Sequence, residues 1–394
     1  MGLNAHEFNA RFWALIGATF LGFLGIGTVL PALAPHVRHD LGGTDFTVGL
    51  VIGTFSFFAL GSRLFAGPLA DRRGRKTAFL TGLISCAAAG GAYLLPIGIG
   101  GAFVARALQG FGEACLYTGA ASWAVEIAGL HRSSQALGYI STGIWGGISA
   151  GPVVGHWLGS FENAAAMQLI AALAGAALLW RIPEEYSPEP HDPARAWLPR
   201  RLILPGLALG FVNVQYPVVA GFLILHLANY GNSGRAAFTA FAGSILLSRF
   251  FLGGLPDRIR PSITFYIGTA CMGIALLSIA AGPPGGMAIA ATALLGFGFS
   301  FPWASIASKV LKETPNGERG SAVSLLGAFC DLFVGAGSFA AGAIAKNFGY
   351  PAAFLMAASA ICIAAIVGRS VFRGDETASA EVREFAAAAN QETP

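Results

Sequence analysis

Three polar side chains interrupt an apolar stretch in the first third of the chain: Arg106, Gln109 and Glu113. They lie at positions i, i+3 and i+7, so an α-helix presents them on one face. A charged residue at the centre of a membrane helix costs about 2.5–3.5 kcal/mol on insertion scales, and it normally faces protein or water rather than lipid. A carboxylate in that setting can bind and release a proton as a cavity opens and closes. Glu113 is therefore a candidate proton-binding group, and a purely structural partnership with Arg106 is the alternative.

The stretch that carries these residues is one of twelve apolar segments in the 394-residue sequence. Hydrophobic residues make up 55% of the sequence and charged residues 11%, against about 25% charged in an ordinary soluble domain. Each segment has roughly the 18–25 residues that a helix needs to cross a bilayer. The sequence predicts an all-α membrane protein with twelve transmembrane helices, over 12–33, 47–68, 77–97, 101–124, 136–159, 164–182, 202–227, 237–255, 263–281, 287–309, 322–345 and 351–372.

A polar, proline-rich stretch divides these segments into two sets of six. We expect an N-terminal six-helix bundle over 1–182, a cytoplasmic linker over 183–200, a C-terminal six-helix bundle over 201–373 and a cytoplasmic tail over 374–394. With both termini in the cytoplasm, 18 of the 24 Lys and Arg residues fall in cytoplasmic segments and three in external loops. This bias follows the positive-inside rule. It predicts a multi-pass plasma-membrane protein, in a bacterium an inner-membrane protein, with both termini cytoplasmic.

The two halves repeat each other. A shift of 186 residues places Leu60–Arg72 on Leu246–Arg258, where eight of the thirteen positions are identical. The same shift aligns Pro31 with Pro217. Both copies end at a cytoplasmic loop, so the repeat is parallel and its axis runs along the membrane normal. A solute site is expected between the halves of such a repeat.

The pattern also argues against several classes of protein. The basic residues lie in short loops rather than on one stripe, which disfavours binding to nucleic acid. The five cysteines all lie in apolar segments, and no Cys/His spacing predicts a metal site. There is no nucleotide-binding loop and no soluble domain to carry chemistry. We expect no enzymatic activity, no cofactor and no metal, and a monomer whose environment is the lipid bilayer.

The loop after the second segment carries the sequence Gly-Pro-Leu-Ala-Asp-Arg-Arg-Gly-Arg-Lys over 67–76. This sequence resembles the signature loop of the major facilitator superfamily. We expect Gly67 to allow tight helix packing, and Asp71 to accept hydrogen bonds from the N-terminus of a neighbouring helix. The resemblance implies a gating loop that latches one conformation, formed here by Gly67, Asp71, Arg72, Gly74 and Arg75.

Two further motifs resemble the same family. Arg106 followed by Gln109 is similar to the family's motif in the fourth helix, and the resemblance implies that Arg106 takes part in proton coupling. The sequence Gly-Ile-Ser-Ala-Gly-Pro-Val-Val-Gly-His over 147–156 resembles the antiporter motif of the family's exporters, although His156 replaces its usual last glycine. We expect its glycines to let helices approach and its proline to kink the helix. The motif residues are Gly147, Gly151, Pro152 and Gly155.

Charged residues in other segments are candidates for pairing within the membrane. In this family the second and eleventh helices are neighbours, and Arg63 and Asp331 lie at similar depths, so we expect an Arg63–Asp331 pair. Asp331 is also a candidate for proton coupling. The 186-residue shift maps Asp331 onto Trp145 and Arg63 onto Arg249, which predicts a cation–π contact between Arg249 and Trp145. The alternative is that these arginines face other backbone groups or the solute.

The solute cavity is expected to take its polar groups from the region of Pro217. A proline interrupts backbone hydrogen bonding, and polar side chains beside such an interruption can line a cavity. For each aromatic candidate, ordinary helix packing is the alternative. The candidate cavity residues are Gln109, Tyr117, Asn213, Gln215, Tyr216, Trp303 and Phe329.

Together these motifs resemble those of the twelve-helix drug or metabolite:proton antiporters of the major facilitator superfamily. The resemblance implies a secondary active transporter that exports a small organic solute by alternating access, with the solute and protons as its partners. One alternative is proton-coupled uptake of a sugar or organic acid, against which the antiporter motif argues. A second is a membrane sensor that transports nothing.

Overall fold

The structure, a computed structural model, describes residues 10–128, 133–184, 200–231, 234–252, 259–314 and 319–389, and these residues are mostly helical. In a bilayer every backbone polar group needs an internal partner, and a helix supplies one within the segment. The helices are α1 (Ala10–Pro35), α2 (Asp45–Arg73), α3 (Arg75–Leu94), α4 (Gly98–Ala128), α5 (Ser133–Leu158), α6 (Phe161–Trp180), α7 (Ile203–Asn213), α8 (Gln215–Ala228), α9 (Gly234–Leu252), α10 (Pro261–Ala280), α11 (Gly285–Glu313), α12 (Arg319–Phe348) and α13 (Tyr350–Ala389).

The helices follow the twelve predicted segments, with two differences. The segment predicted over 202–227 forms two helices, α7 and α8, which meet at Val214. Pro217 has no N–H to donate to the carbonyl of Asn213, so a continuous helix would lose a hydrogen bond at this point. The second difference is at the C-terminus, where α13 continues into the tail predicted over 374–394 and ends at Ala389.

Nine helical stretches of the described residues are long and apolar enough to cross a membrane. The segments predicted over 101–124, 136–159 and 237–255 correspond to α4, α5 and α9, which are not among those nine. All three pack inside the helix bundle, α4 against α2 and α3, α5 against α1, and α9 against α11. The protein is therefore an all-α membrane protein, and nine of the twelve predicted crossings meet the criterion of length and hydropathy.

Packing divides the helices into two groups. Helices α1 to α6, the first group, contact mainly one another, and helices α7 to α13, the second group, do the same. The two groups meet chiefly where α2 packs on α12 and α5 packs on α9. Most of the predicted linker, 185–199, lies outside the described residues. We call the two ends of the bundle the Gly42 end and the Gly74 end, after the turns that precede and follow α2.

The α2–α12 contact changes along its length. A Cβ on Gly49 would lie 2.6 Å from the carbonyl oxygen of Ser338 and 2.8 Å from the Cα of Gly342, so the two backbones touch near the Gly42 end. A Cβ on Gly67, near the Gly74 end, would meet no described atom within 4 Å. The described atoms thus give no close contact at Gly67, and the tight helix packing predicted there stays a prediction.

Candidate functional site

A cavity of about 650 Å³ lies between the two groups. Its inner end is formed by buried residues such as Leu30, Ile52 and Val212, whereas the exposed Gly138 and Lys312 line its other end. The cavity thus opens toward the Gly74 end and is closed toward the Gly42 end. Its wall is mainly apolar and aromatic, and its volume is within the range of about 300–1,000 Å³ that is typical of sites for drug-sized ligands.

The first charged centre of the cavity surrounds Arg63. Its Nε donates to Oδ2 of Asp331 at 2.8 Å, and its Nη2 lies 2.7 Å from the same oxygen. Oε2 of Glu113 lies 3.7 Å from Nη2 on another side. The guanidinium carbon is 5.2 Å from the ring centroid of Tyr117. The predicted partners Arg63 and Asp331 are thus in contact, and this contact joins α2 of the first group to α12 of the second.

The second charged centre is Arg106, whose side chain is buried against α2. Nη2 donates to the carbonyl oxygen of Ile52 at 3.1 Å, Nη1 donates to Oε1 of Gln109, and the guanidinium carbon lies 4.5 Å from the ring centroid of Phe55. Its Nε has no hydrogen-bond partner. Arg106 and Glu113 both line the cavity, as their shared helix face predicts.

Gln109 does not line the cavity, so this prediction is wrong. The residue is fully buried, and its Nε2 donates to Oε1 of Gln168 on α6 at 2.9 Å. Gln168 in turn donates to the carbonyl oxygen of Cys86 on α3 at 2.9 Å. Gln109 therefore belongs to a polar network that fixes Arg106 inside the first group.

The other candidate cavity residues divide into two sets. Gln215 and Phe329 are not in the cavity wall. Gln215 is fully buried in the core, and Phe329 is packed against Gly206 of α7. The predicted positions of these two residues in the cavity wall are therefore wrong. The reason is that helix periodicity does not show which face of a helix a neighbouring helix covers. The candidates that do line the cavity are Tyr117, Asn213, Tyr216 and Trp303, and Trp145, predicted as a cation–π partner, also lines it.

The predicted contact between Arg249 and Trp145 falls partly outside the described residues, because the side chain of Arg249 is not described. Trp145 itself faces Trp303 across the cavity, with ring centroids 6.4 Å apart. One tryptophan comes from α5 of the first group and the other from α11 of the second. The cavity wall therefore has an aromatic pair that spans both groups.

The glycines of the predicted antiporter motif lie against α1. A Cβ on Gly147 would lie 2.5 Å from the carbonyl oxygen of Phe20, and a Cβ on Gly151 would lie 2.6 Å from the Cα of Gly27. Gly155 packs in the same way on Thr28. The spacing of four residues keeps the glycines on one helix face, so α5 and α1 approach to backbone contact. Pro152 is buried beside them.

The predicted gating loop begins where α2 ends. Gly74 has φ +103°, which favours glycine, and a Cβ there would lie 2.6 Å from Oε2 of Glu184. Oε1 of Glu184 accepts hydrogen bonds from the backbone N–H groups of Arg75 at 2.5 Å and Lys76 at 3.0 Å. Glu184 thus caps the N-terminus of α3, where the helix dipole favours an anion. The sequence prediction missed Glu184.

Lys76 and Arg75 complete this arrangement. Lys76 Nζ donates to the carbonyl oxygens of Trp180 and Ile182, at 2.8 and 2.7 Å, near the end of α6. Arg75 donates to the carboxylate of Glu126 on α4. Arg72 is exposed, and the side chain of Asp71 lies outside the described residues, so its predicted role stays a prediction. An acid directly after the sixth apolar segment was the available signal for Glu184.

Comparison with known proteins agrees with this architecture. The family model described as Major Facilitator Superfamily matches residues 15–329 and 218–393. An uncharacterised MFS-type transporter of Salmonella typhimurium is 27% identical over 389 residues, which cover 94% of this chain and 99% of that protein. An uncharacterised MFS-type transporter of Burkholderia mallei is 27% identical over 375 residues, or 91% of each chain.

Solved structures show the same fold. The nucleoside transporter NupG superposes with a TM-score of 0.73 at 15% identity, over 92% of this chain and 100% of that one. A bacterial homologue of the human lysosomal transporter Spinster, in an inward-facing and unoccupied conformation, gives a TM-score of 0.72 at 15% identity, over 94% and 98% of the two chains. Because the family model covers well over half of the sequence, the chain belongs to the major facilitator superfamily and is a secondary transporter.

Proposed function

We propose that the protein is a proton-coupled antiporter that exports a small organic solute by alternating access, with Arg63, Glu113 and Asp331 as its coupling site. The observation that carries this proposal is the position of Arg63, whose guanidinium lies between one carboxylate of each helix group. Any movement of α2 relative to α12 at this depth has to change that contact. A change of charge in the cluster therefore acts on the equilibrium between the two conformations.

The physical basis of the proposed coupling is a change in the ion pairs of Arg63. An ion pair that loses one partner in a buried setting costs about 3–5 kcal/mol, because the remaining charge has no compensation. Arg63 therefore holds α2 and α12 together at the depth of the cavity while Asp331 is ionised. A proton that binds to Asp331 or Glu113 removes one negative charge from the cluster and weakens that hold. The transmembrane potential adds about 2.3 kcal/mol per charge per 100 mV to an exchange that moves net charge.

Export is favoured over uptake by two features. The antiporter motif of α5 lies in backbone contact with α1, which is the packing that the resemblance to exporters implies. The cavity opens toward the Gly74 end, which the distribution of Lys and Arg assigns to the cytoplasm, so a cytoplasmic solute could enter it. We place the protein in a bacterial inner membrane as a monomer with both termini in the cytoplasm. Proton-coupled uptake is the competing function.

Inverted membrane vesicles from cells that express the full chain provide the test. Respiration acidifies their interior, and a fluorescent amine reports the pH gradient while a panel of anionic, neutral and cationic organic solutes is added outside. An antiporter releases protons when its solute enters, so we expect at least one solute to dissipate the gradient. A symporter moves solute and proton in the same direction and gives no such response.

Substitutions of the two cavity carboxylates test whether the solute-driven proton release depends on the coupling site. Glu113→Gln should abolish solute-driven proton release, and Asp331→Asn should reduce it strongly. Glu162→Gln removes an exposed carboxylate at the start of α6, outside the cavity, and is the matched control. Solute flux without proton movement, or a response unchanged in both cavity variants, would overturn the proposal.

A further inference from the structure

We propose that the transported solute is an organic anion with an apolar or aromatic body, and that Arg106 binds its anionic group. The proposal rests on the proposed function, because it assigns a substrate class to the same cavity. In the described part of the chain, no Asp or Glu lies within 4.0 Å of a nitrogen of Arg106, although this residue lines the cavity and is only 4% exposed. Arg106 is therefore a buried cation without a counter-charge.

The charges of the cavity wall support this assignment. The two carboxylates that line the cavity, Glu113 and Asp331, both lie against Arg63, at 3.7 and 2.7 Å. The described wall also holds Arg106 and Lys312, so three cations face two anions and the wall carries one excess positive charge when all are ionised. Lys312 is exposed near the mouth. Without Lys312 the charges of the deeper wall balance, but both carboxylates lie against Arg63, so Arg106 has no carboxylate in contact with it. Lys312 supplies the excess positive charge and can steer anions into the cavity.

The surroundings of Arg106 stabilise the cation only in part. A backbone carbonyl, an amide oxygen and the face of an aromatic ring contact it, and the Tyr93 hydroxyl lies near it. None of these groups carries a formal charge. The Nε–H of Arg106 has no acceptor. A buried charge without a counter-ion is unfavourable, and an unpaired donor adds to that cost. A solute carboxylate or sulfonate in the cavity would supply the missing negative charge.

The rest of the wall determines the body of the solute. Around Arg106 the cavity is lined by Phe55, Tyr216 and Phe299, and farther along by the Trp145–Trp303 pair. A single uncompensated cation in such a wall suits a monoanion, whereas a solute with several charges or many hydroxyl groups would lose hydration without finding partners. The geometry therefore favours an amphipathic monoanion of drug-like size over a sugar or a lipophilic cation.

The test compares solutes that share a body and differ in charge. Calorimetric titration of the purified full-length protein would use benzoate, 2-naphthoate and dodecanoate, each beside its neutral amide and its primary ammonium analogue. We expect at least one carboxylate to bind about tenfold or more tightly than both of its analogues, which is the size of effect expected for a charge-assisted hydrogen bond. If no carboxylate binds better than its amide and ammonium analogues, the proposal is wrong.

Variants then locate the binding group. Arg106→Gln should weaken carboxylate binding by roughly ten- to a hundredfold and leave amide binding unchanged, and Arg106→Lys should retain part of the preference. Arg181→Gln removes an exposed arginine at the end of α6 and should change nothing. If the Arg106 variants do not fold, the charge preference of the wild-type protein still decides the question.

The two experiments can contradict the anion proposal and the proton-coupling proposal independently of each other. Glu113→Gln should keep the preference for carboxylates while it loses solute-driven proton release. Carboxylate binding without any proton response would overturn the coupling proposal alone. A preference for the ammonium analogues, together with a proton response, would overturn the anion proposal alone.

Discussion

The two ends of the bundle use polar contacts differently. At the Gly42 end the contacts join the two helix groups. Tyr350 of α13 donates its hydroxyl to Oδ1 of Asp45 at the start of α2, at 3.0 Å, and Ser338 of α12 donates to the carbonyl oxygen of Gly49 at 2.6 Å. Arg235 of α9 donates to the carbonyl oxygen of Gly159, which follows α5, at 2.7 Å. This end is closed by bonds between the groups.

At the Gly74 end, three described polar contacts lie wholly inside the first group. Glu184 caps α3, Lys76 donates to carbonyl oxygens near the end of α6, and Arg75 pairs with Glu126 of α4. These groups have partners whether or not the second group is near. The two groups can therefore separate here without leaving these buried polar atoms unsatisfied, a penalty of about 1–3 kcal/mol for each such atom.

This difference between the two ends indicates how the two conformations can have similar free energies. Opening the Gly42 end breaks a few hydrogen bonds between the groups and separates two backbones. Arg63–Asp331 is an ion pair between the groups at the depth of the cavity, between the two ends. A conformational change of this kind needs contacts of modest strength that can be exchanged, since a ligand can shift an equilibrium only by its differential affinity for the two states.

The largest effect is expected for Gly49→Leu at the closed end. Its Cβ would lie 2.6 Å from the carbonyl oxygen of Ser338, so α2 and α12 could not keep their backbone contact. Overpacking costs roughly 1–3 kcal/mol, which would shift the population toward opening of the Gly42 end by about five- to a hundredfold. In a cysteine-free background, a Leu30→Cys reporter should react faster with a membrane-impermeant thiol reagent that is added to intact cells.

Gly61→Leu is the matched control for this substitution. It lies on the same helix, and its Cβ would meet no described atom within 4 Å, so labelling of the reporter should stay at the wild-type rate. Equal labelling in the wild type and Gly49→Leu would mean that the α2–α12 backbone contact does not close the Gly42 end.

The next effect concerns the contact between the two ends. Arg63→Asp and Asp331→Arg each leave like charges facing one another in a buried site, and each should reduce solute-driven proton release by at least about tenfold, given a cost of about 3–5 kcal/mol for an unpaired buried charge. The double swap restores an opposite pair and should recover part of the activity. Recovery cannot be complete, because an aspartate at position 63 would also face Glu113, which lies 3.7 Å from Nη2 of Arg63 in the wild type.

Thermal unfolding of the same variants separates folding from coupling. A double swap that unfolds at the wild-type temperature but transports no better than either single variant would show that the pair has no role in transport.

Much of this architecture could be predicted from the sequence, because the signals are local or repeated. Segment length and hydropathy predict the helices, and the 186-residue repeat indicates two groups with a site between them. The Arg63–Asp331 contact was expected from the depth of each residue together with the neighbouring helices of the family. All of these inferences depend on where a residue lies along a helix axis.

The wrong predictions concern rotation about the axis and contacts that are distant in sequence. Gln109 is on the expected face of α4, but Gln168, far along the chain, occupies its amide. Gln215 is close to the proline-associated break but points into the core. Glu184 caps α3 although it lies more than a hundred residues later in the sequence. Apolar segments pack on nearly all sides in a membrane bundle, so hydropathy does not show which polar residue faces the cavity.

The smallest effect is expected for Glu184→Ala at the open end. The change removes the acceptor of the Arg75 and Lys76 N–H groups, which should cost about 1 kcal/mol as for other helix caps and lower the unfolding temperature by a few degrees. Glu184→Gln keeps an acceptor oxygen and should cost less. Because this cap lies inside the first group, labelling of the Leu30→Cys reporter should not change. If Glu184→Ala altered labelling as strongly as Gly49→Leu, the Gly74-end contacts would have to connect the two groups, and the contrast between the ends would be wrong.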